Sequence, residues 1–417
     1  MKMKREILSI FILLCMISGL FSLFGCSEDE EEFKAAPELI TGSRGFGFGL
    51  LYELYQEEGG ENIFISPLSV SLALAMTYNG AAGETQKAMA ETLDLTGMSL
   101  AEVNGGYADL QEKLLSSDPE VEIAIANSMW AREGREFYDD FMERNRRFYD
   151  AEVDTLDFGD PQSVVIINDW VNTKTKGKIP ELLDRISSNV ALILINATYF
   201  KGTWKQEFEP SATQDRPFYL LNGSKKQVPM MGQFGAHAYI TGESFAAVRL
   251  PYGADRICMY IFLPDRGSSI QEFLEYLNST NWENWMTALQ NEIKRAPYGA
   301  GVQIWLPRFK LEYEVELNDA LSALGMGVAF GGGADFSKMG PPPKLWIDKA
   351  IHKTFVEVNE EGTEAAAVTG IIVPDSANWE PPTPFVFMVD RPFLVAIRDD
   401  VTGAVLFMGV IVEPMQE

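Results

Sequence analysis

The spacing of hydrophobic and polar positions changes character partway along the chain. Apolar residues recurring every three or four positions predict helices over 67–78, 84–93, 101–115, 138–149 and 161–176, with one more at 316–324. Pro67 suits a first helical turn, where its missing N–H removes no hydrogen bond. Elsewhere, alternating or continuous apolar runs rich in β-branched and aromatic residues predict strands. They fall over 121–130, 191–200, 236–241, 245–251, 256–263, 302–313, 346–358, 385–389, 392–398 and 404–411. Helices dominate the first half and strands the second, which predicts an α+β fold with large, mostly antiparallel sheets. Gly331–Gly333, Pro341–Pro343 and the proline-rich Pro374–Pro384 read as surface loops. The sequence carries no internal repeat.

One stretch sits between predicted strands yet holds no bulky core residue. Residues 360–369 read Glu-Glu-Gly-Thr-Glu-Ala-Ala-Ala-Val-Thr. At a period of two, Thr363, Ala365, Ala367, Thr369, Ile371 and Val373 share one face, and Glu364, Ala366, Val368, Gly370 and Ile372 share the other. The first face can enter a sheet interior without carrying in a charge. Gly362, just before it, can turn in conformations that other residues avoid. The composition also fits a helix N-terminus or an alanine-rich linker, because Glu and Ala favour helix.

Several ordered motifs bear on that choice. Glu360–Thr369 closely resembles the proximal hinge of inhibitory serpins. Asn62–Ser69 followed by Met76–Thr85 resembles the serpin helix-B region, and Leu194–Trp204 resembles the strand that leads to the top of the central sheet. Asp390–Phe393 and Leu406–Val410 are similar to the family's C-terminal signature. These motifs lie in the family's order from about residue 40 to the end. The resemblance implies the serpin fold: a helical N-terminal half, a large central mixed sheet, further antiparallel sheets and an exposed reactive loop. It implies a single domain over 41–417, with the reactive loop at 360–384; the residues before it read as a lipoprotein signal peptide over 1–25 and an acidic tether over 26–40.

The resemblance also assigns roles. Ser66, Ser69, Asn196 and His352 match a polar cluster under the centre of the main sheet, where the sheet parts to admit the loop. Glu360 matches the acidic residue at the base of the hinge, Arg308 its basic partner, and Trp204 the tryptophan beneath the top of the sheet. Gly362, Thr363, Glu364, Ala365, Ala366, Ala367, Val368 and Thr369 match the inserting hinge. The implied function is inhibition of a serine protease, with a cysteine protease as a further target class, by a suicide-substrate mechanism. Loop insertion in serpins is itself a standard instance of strand addition and of stored strain released by a switch. Counting sixteen residues from Glu360, the family's spacing, places the reactive bond at Ser376–Ala377; Asn378–Trp379 is the second choice. Counting back from Arg391 points nearer Pro381, so the distal side of this loop is about five residues longer than usual in the family, whereas insertion constrains the hinge side. No Lys or Arg lies between Lys353 and Arg391. Trypsin-like proteases are therefore poor targets, and small Ser376 and Ala377 suit elastase- or subtilisin-like enzymes. The alternative is a non-inhibitory serpin-fold lipoprotein that binds ligands or serves a structural role. Non-inhibitory members commonly carry bulky or charged hinge residues, which this chain lacks.

Composition narrows the partners. Sixty acidic against 34 basic residues give a net charge of −26, which disfavours nucleic acid and polyanions. A basic start (Lys2, Lys4, Arg5), an apolar run over Ile7–Phe24 and Leu23-Phe24-Gly25-Cys26, which resembles a lipobox, predict export. Lipidation falls on Cys26. An uncleaved single-span anchor is the alternative, the apolar run being about 18 residues and at the short limit for spanning. The expected location is therefore the cell envelope or extracellular face, lipid-anchored, as a monomer. The mature domain keeps one cysteine, Cys258, in an apolar run, and it reads as a core thiol. Hydrolase chemistry is disfavoured: only His237 and His352 could serve as histidine bases, and no Gly-x-Ser-x-Gly elbow, phosphate loop or zinc spacing occurs. No cofactor or metal is expected. Asn196–Thr198 and Asn278–Thr280 fit the glycosylation sequon but are set aside, the first lying in a predicted buried strand.

Overall fold

In the computed structural model the described residues are 37–115, 118–187, 189–295, 301–362 and 383–415. Six helices come early in the chain: α1 (Pro37–Glu58), α2 (Pro67–Tyr78), α3 (Gly83–Thr92), α4 (Leu100–Leu115), α5 (Asp139–Tyr149) and α6 (Gln162–Lys174). Every residue of α2 is buried, its apolar side chains together with Ser69, Ser71 and Thr77. Helix α1 begins at Pro37 and buries Leu39, so Pro37–Ile40, counted above with the acidic tether, form a helical turn that packs on the core.

The central sheet contains β1 (Val121–Arg132), β2 (Glu152–Leu156), β3 (Leu192–Gly202), β4 (Phe309–Glu316) and β5 (Lys349–Val358), in the order β4-β5-β3-β1-β2. It is mixed: β4–β5 and β3–β1 are antiparallel, while β5–β3 and β1–β2 are parallel. Both faces are covered. The main core, with α2, lies behind the sheet. A second apolar cluster lies in front, joining Ile193, Ile195, Ala197, Tyr199, Ile351 and Phe355 of the sheet to Ile167 and Val171 of α6 and to Ile179, Leu182 and Leu183 of the segment after it.

A six-stranded sheet is antiparallel throughout, and its three C-terminal core strands, Ile257–Pro264, Phe393–Asp399 and Val405–Ile411, are buried at every residue. The four-stranded sheet departs from the expectation of further antiparallel sheets. Phe385–Met388 runs parallel to Val302–Pro307, because the chain returns to it after a long excursion rather than through a hairpin. The predicted strand over 302–313 divides at Arg308 into two strands of different sheets. That division puts Arg308 at the corner between sheets, with its N–H on Pro229 O at 2.9 Å.

Candidate functional site

The site is built on the seam between β3 and β5. The two strands pair in parallel over seven rungs, from Lys349 opposite Ile193 to Phe355 opposite Tyr199. On its other edge β5 stays paired with β4 up to Val358. Above the Phe355–Tyr199 rung, β5 therefore keeps one neighbour and leaves the other. The chain then turns: Asn359 and Gly362 exchange backbone hydrogen bonds at 3.0 and 3.3 Å, and Gly362 forms an antiparallel bridge with Thr203, just past the end of β3. Gly362 is at φ 126°, and a Cβ there would stand 2.4 Å from Gly202 O and 2.5 Å from Trp204 N. Only glycine fits that conformation and that approach.

The turn is anchored by side chains from three other elements. Arg308 Nε donates to both carboxylate oxygens of Glu360, at 2.8 and 2.7 Å, and Nη2 adds a further bond. Thr213 donates its hydroxyl to the same carboxylate. Burial works to raise the Glu360 carboxyl, but the bonds from Arg308 and Thr213 outweigh it and hold the group below the usual carboxylate range. Trp204 donates from Nε1 to Asn359 O at 3.0 Å and from its backbone N–H to Glu361 O at 3.1 Å. Its ring stacks on Tyr252 with centroids 4.3 Å apart. Glu360, Arg308 and Trp204 thus converge on one turn.

Behind the seam lies the polar cluster. His352 on β5 and Asn196 on β3 are register partners. His352 Nε2 accepts from the backbone N–H of Ser66 at 3.0 Å, so Nδ1 carries the proton and donates to Asn196 Oδ1 at 2.6 Å. Asn196 Nδ2 reaches Ser69 Oγ at 2.5 Å and Asn127 Oδ1 at 2.6 Å, and Ser66 Oγ donates to Leu406 O at 2.6 Å. Ser66 stands at the N-cap of α2 and Ser69 lies in its first turn, so the beginning of that helix supplies both serines of the network. Full burial drives the His352 imidazole down to about 3, which leaves it neutral. Asn127 was not foreseen. Its signal was a polar residue between the inward Ile125 and Met129 of the strand, directly opposite Asn196. Thr354 on β5 adds a hydroxyl bond to Phe64 O at 2.6 Å.

Of the remaining expected site residues, Thr363, Glu364, Ala365, Ala366, Ala367, Val368, Thr369, Ser376, Ala377, Asn378, Trp379 and Cys26 lie outside the described residues. His237 is buried, and burial lowers it to about 4; Cys258 is buried and its thiol is pushed up by the same desolvation. Among the described residues, no group of three or more His, Cys, Asp or Glu side chains could hold a metal ion.

Comparison with known proteins gives this site its class. A family model described as serpin (serine protease inhibitor) matches residues 41–414. The chain is 34% identical over 390 residues to leukocyte elastase inhibitor of Bos taurus, covering 90% of this chain and 100% of that protein. It is 31% identical over 432 residues to an uncharacterized serpin-like protein of Methanosarcina mazei, covering 98% of each. Among solved structures, the thermophilic serpin tengpin in the native state matches with a TM-score of 0.80 at 32% identity, over 90% of this chain and 94% of that one. The chain belongs to the serpin family.

Proposed function

We propose that this protein inhibits serine proteases as a suicide substrate. The observation that carries the reading is the parallel β3–β5 seam closed at its top by Gly362. A segment leaving β5 and folding back through that glycine enters the seam antiparallel to both neighbours, and finds a hydrogen-bonding edge on each. Continuing the register of the Thr203–Gly362 bridge places Glu364 opposite Lys201, Ala366 opposite Tyr199, Thr369 opposite Asn196 and Ile371 opposite Leu194. The small face Thr363, Ala365, Ala367 and Thr369 then turns toward the main core, and no charge is taken into the interior. Thr363–Ser376 outruns the eleven residues of β3, so the seam can be filled to its far end.

The chemistry is the protease's own. Its serine Oγ attacks the Ser376 carbonyl, the Ser376–Ala377 bond breaks, and the Ala377 amine leaves with the proton. Ser376 remains as an ester on the protease. Cutting frees the hinge side of the loop from Phe385, insertion follows, and the attached protease is dragged and distorted before water can hydrolyse the ester. Small residues at the bond, and the lack of Lys or Arg in the loop, favour an elastase- or subtilisin-like target. The apolar leader and Cys26 support a lipid tether to the cell envelope, read out as a diacylglyceryl mass on the N-terminal peptide of the exported protein.

Insertion has a direct physical readout. Nicking the loop with a protease that is not trapped should raise the thermal midpoint of the soluble domain by tens of degrees, since a new central strand gains hydrogen bonds along both edges. A midpoint unchanged by nicking would show that the loop does not enter the sheet, and would favour a binding or structural role instead.

A further inference from the structure

The segment that follows α6 crosses the front of the central sheet and lowers two lysines onto it. Lys176 pairs with Glu122 of β1, and Glu122 also accepts from Tyr199 Oη at 3.1 Å. Lys178 does something different. Its Nζ lies 6.0 Å from the ring centroid of Tyr199 and 5.7 Å from that of Phe355. Those rings belong to β3 and β5 and form the last rung of the seam. One ammonium therefore straddles the two strands at the level where they begin to diverge. Lys353, also half-way across this face, engages Glu312, Glu314 and Glu181 O, and its carboxylate partners stay on the β4 side of the seam.

An ammonium at this range is held by the negative faces of both rings. Insertion separates β3 from β5 by one further strand spacing, about 4.8 Å. In the register given above, Ala366 then stands between Tyr199 and Phe355. A single Nζ cannot keep both ring contacts across that wider gap. The contact exists only in the closed seam, so it opposes insertion and is lost during it.

We propose that Lys178 is a positioning residue for the insertion step: its ammonium clasps the Tyr199–Phe355 rung, holds the seam shut before cleavage, and sets how fast the cut loop enters. The proposal rests on the insertion reading above. Rapid entry favours trapping over hydrolysis of the ester, whereas a seam that opens unprompted spends the uncut molecule.

Lys178→Met keeps the length of the side chain and removes its charge. Loop entry after nicking, followed by tryptophan fluorescence, should become about five- to thirtyfold faster, the range set by two contacts of this kind. Uncut protein held at elevated temperature should lose inhibitory activity faster by a similar factor. Lys178→Arg should restore the wild-type rates. Lys176→Met, two residues away on a strand pair that does not part, should leave them unchanged. Thermal midpoints of the uncut form should fall in Lys178→Met while those of the nicked form stay put. An unchanged entry rate in Lys178→Met, equal acceleration by Lys176→Met, or equal loss of stability in uncut and nicked forms would each overturn the proposal. A wild-type chain that gains no stability on nicking would instead remove the insertion reading, and the clasp with it.

Discussion

His352 donates from Nδ1 to Asn196 Oδ1 at 2.6 Å, and the two residues face each other across the strands that would separate to admit a loop. The bond is a tie between β3 and β5 made by buried polar groups, with Ser66, Ser69 and Asn127 completing it. A fully buried network of this sort is costly to leave half-made.

That tie has a pH dependence with a fixed sign. The folded protein holds His352 at about 3, while an unfolded histidine takes up a proton near 6.5. Below about pH 6.5 the unfolded state binds a proton that the native state does not, so stability falls as pH falls and is complete above that value. Each unit of pH between those limits costs up to about 1.4 kcal/mol from this residue. His237, lowered to about 4, acts in the same direction over a narrower window. Denaturation midpoints of wild type and His352→Gln at pH 7 and pH 5 isolate the first contribution: wild type should lose more stability between the two than the variant does.

Thr369→Val tests the proposed insertion. In the proposed register the incoming Thr369 replaces His352 as the neighbour of Asn196. The variant should leave the uncut protein's thermal midpoint unchanged and lower that of the nicked protein, with a buried polar group left unpaired at a cost of about 1–3 kcal/mol. An equal effect on both forms would place Thr369 elsewhere.

Gly362→Ala tests the turn. Its φ of 126° is strained for any side chain, and the added methyl meets Gly202 O and Trp204 N at 2.4 and 2.5 Å. A loss of about 1–3 kcal/mol is expected, measurable by urea denaturation of the uncut protein.

The Arg308–Glu360 pair should respond unequally to truncation. Glu360 is 6% exposed and Arg308 38%. Arg308→Ala leaves a buried carboxylate with the Thr213 hydroxyl as its remaining side-chain donor, whereas Glu360→Ala leaves a guanidinium that water can reach. The first variant should lose more stability than the second, because removing one partner strands the more buried charge. Equal losses would mean that the carboxylate hydrates freely.

Much of this architecture was legible in the sequence. Pro67–Tyr78 is helical over the predicted span, with Pro67 in its first turn and a run of apolar residues from Leu72 to Met76 in its middle. His352, Asn196, Ser66 and Ser69 were assigned together by resemblance, and the structure brings them within hydrogen-bond reach. What escaped prediction did so for physical reasons. Lys225–Gly235 carries Pro229, Gly232 and Gly235, which weaken a strand signal, yet Gly232 is needed there because Trp305 occupies the space a side chain would take. Asn278, set aside as a sequon, caps Ser279–Ile293 by accepting from Asn281 N–H, and the stripe Trp282, Met286, Leu289 buries that helix. Glu152–Leu156 pairs in parallel at the sheet edge with one inward Val153 and has little pattern of its own.

Charging the inserting face should convert inhibitor to substrate. Thr363→Arg brings a cation to the first inward position beneath Gly362, where its desolvation opposes entry. The variant should be cut at the same bond as wild type and release active protease; trapping as efficient as wild type would contradict insertion of that face.

The central claim is tested most directly by mixing the soluble domain with elastase, subtilisin or trypsin and resolving the products on a denaturing gel with mass spectrometry. The account predicts a covalent complex that survives denaturation with elastase or subtilisin and not with trypsin, its ester on Ser376 and a released fragment beginning at Ala377. Clean cleavage by every protease, with no complex and full protease activity recovered, would contradict it.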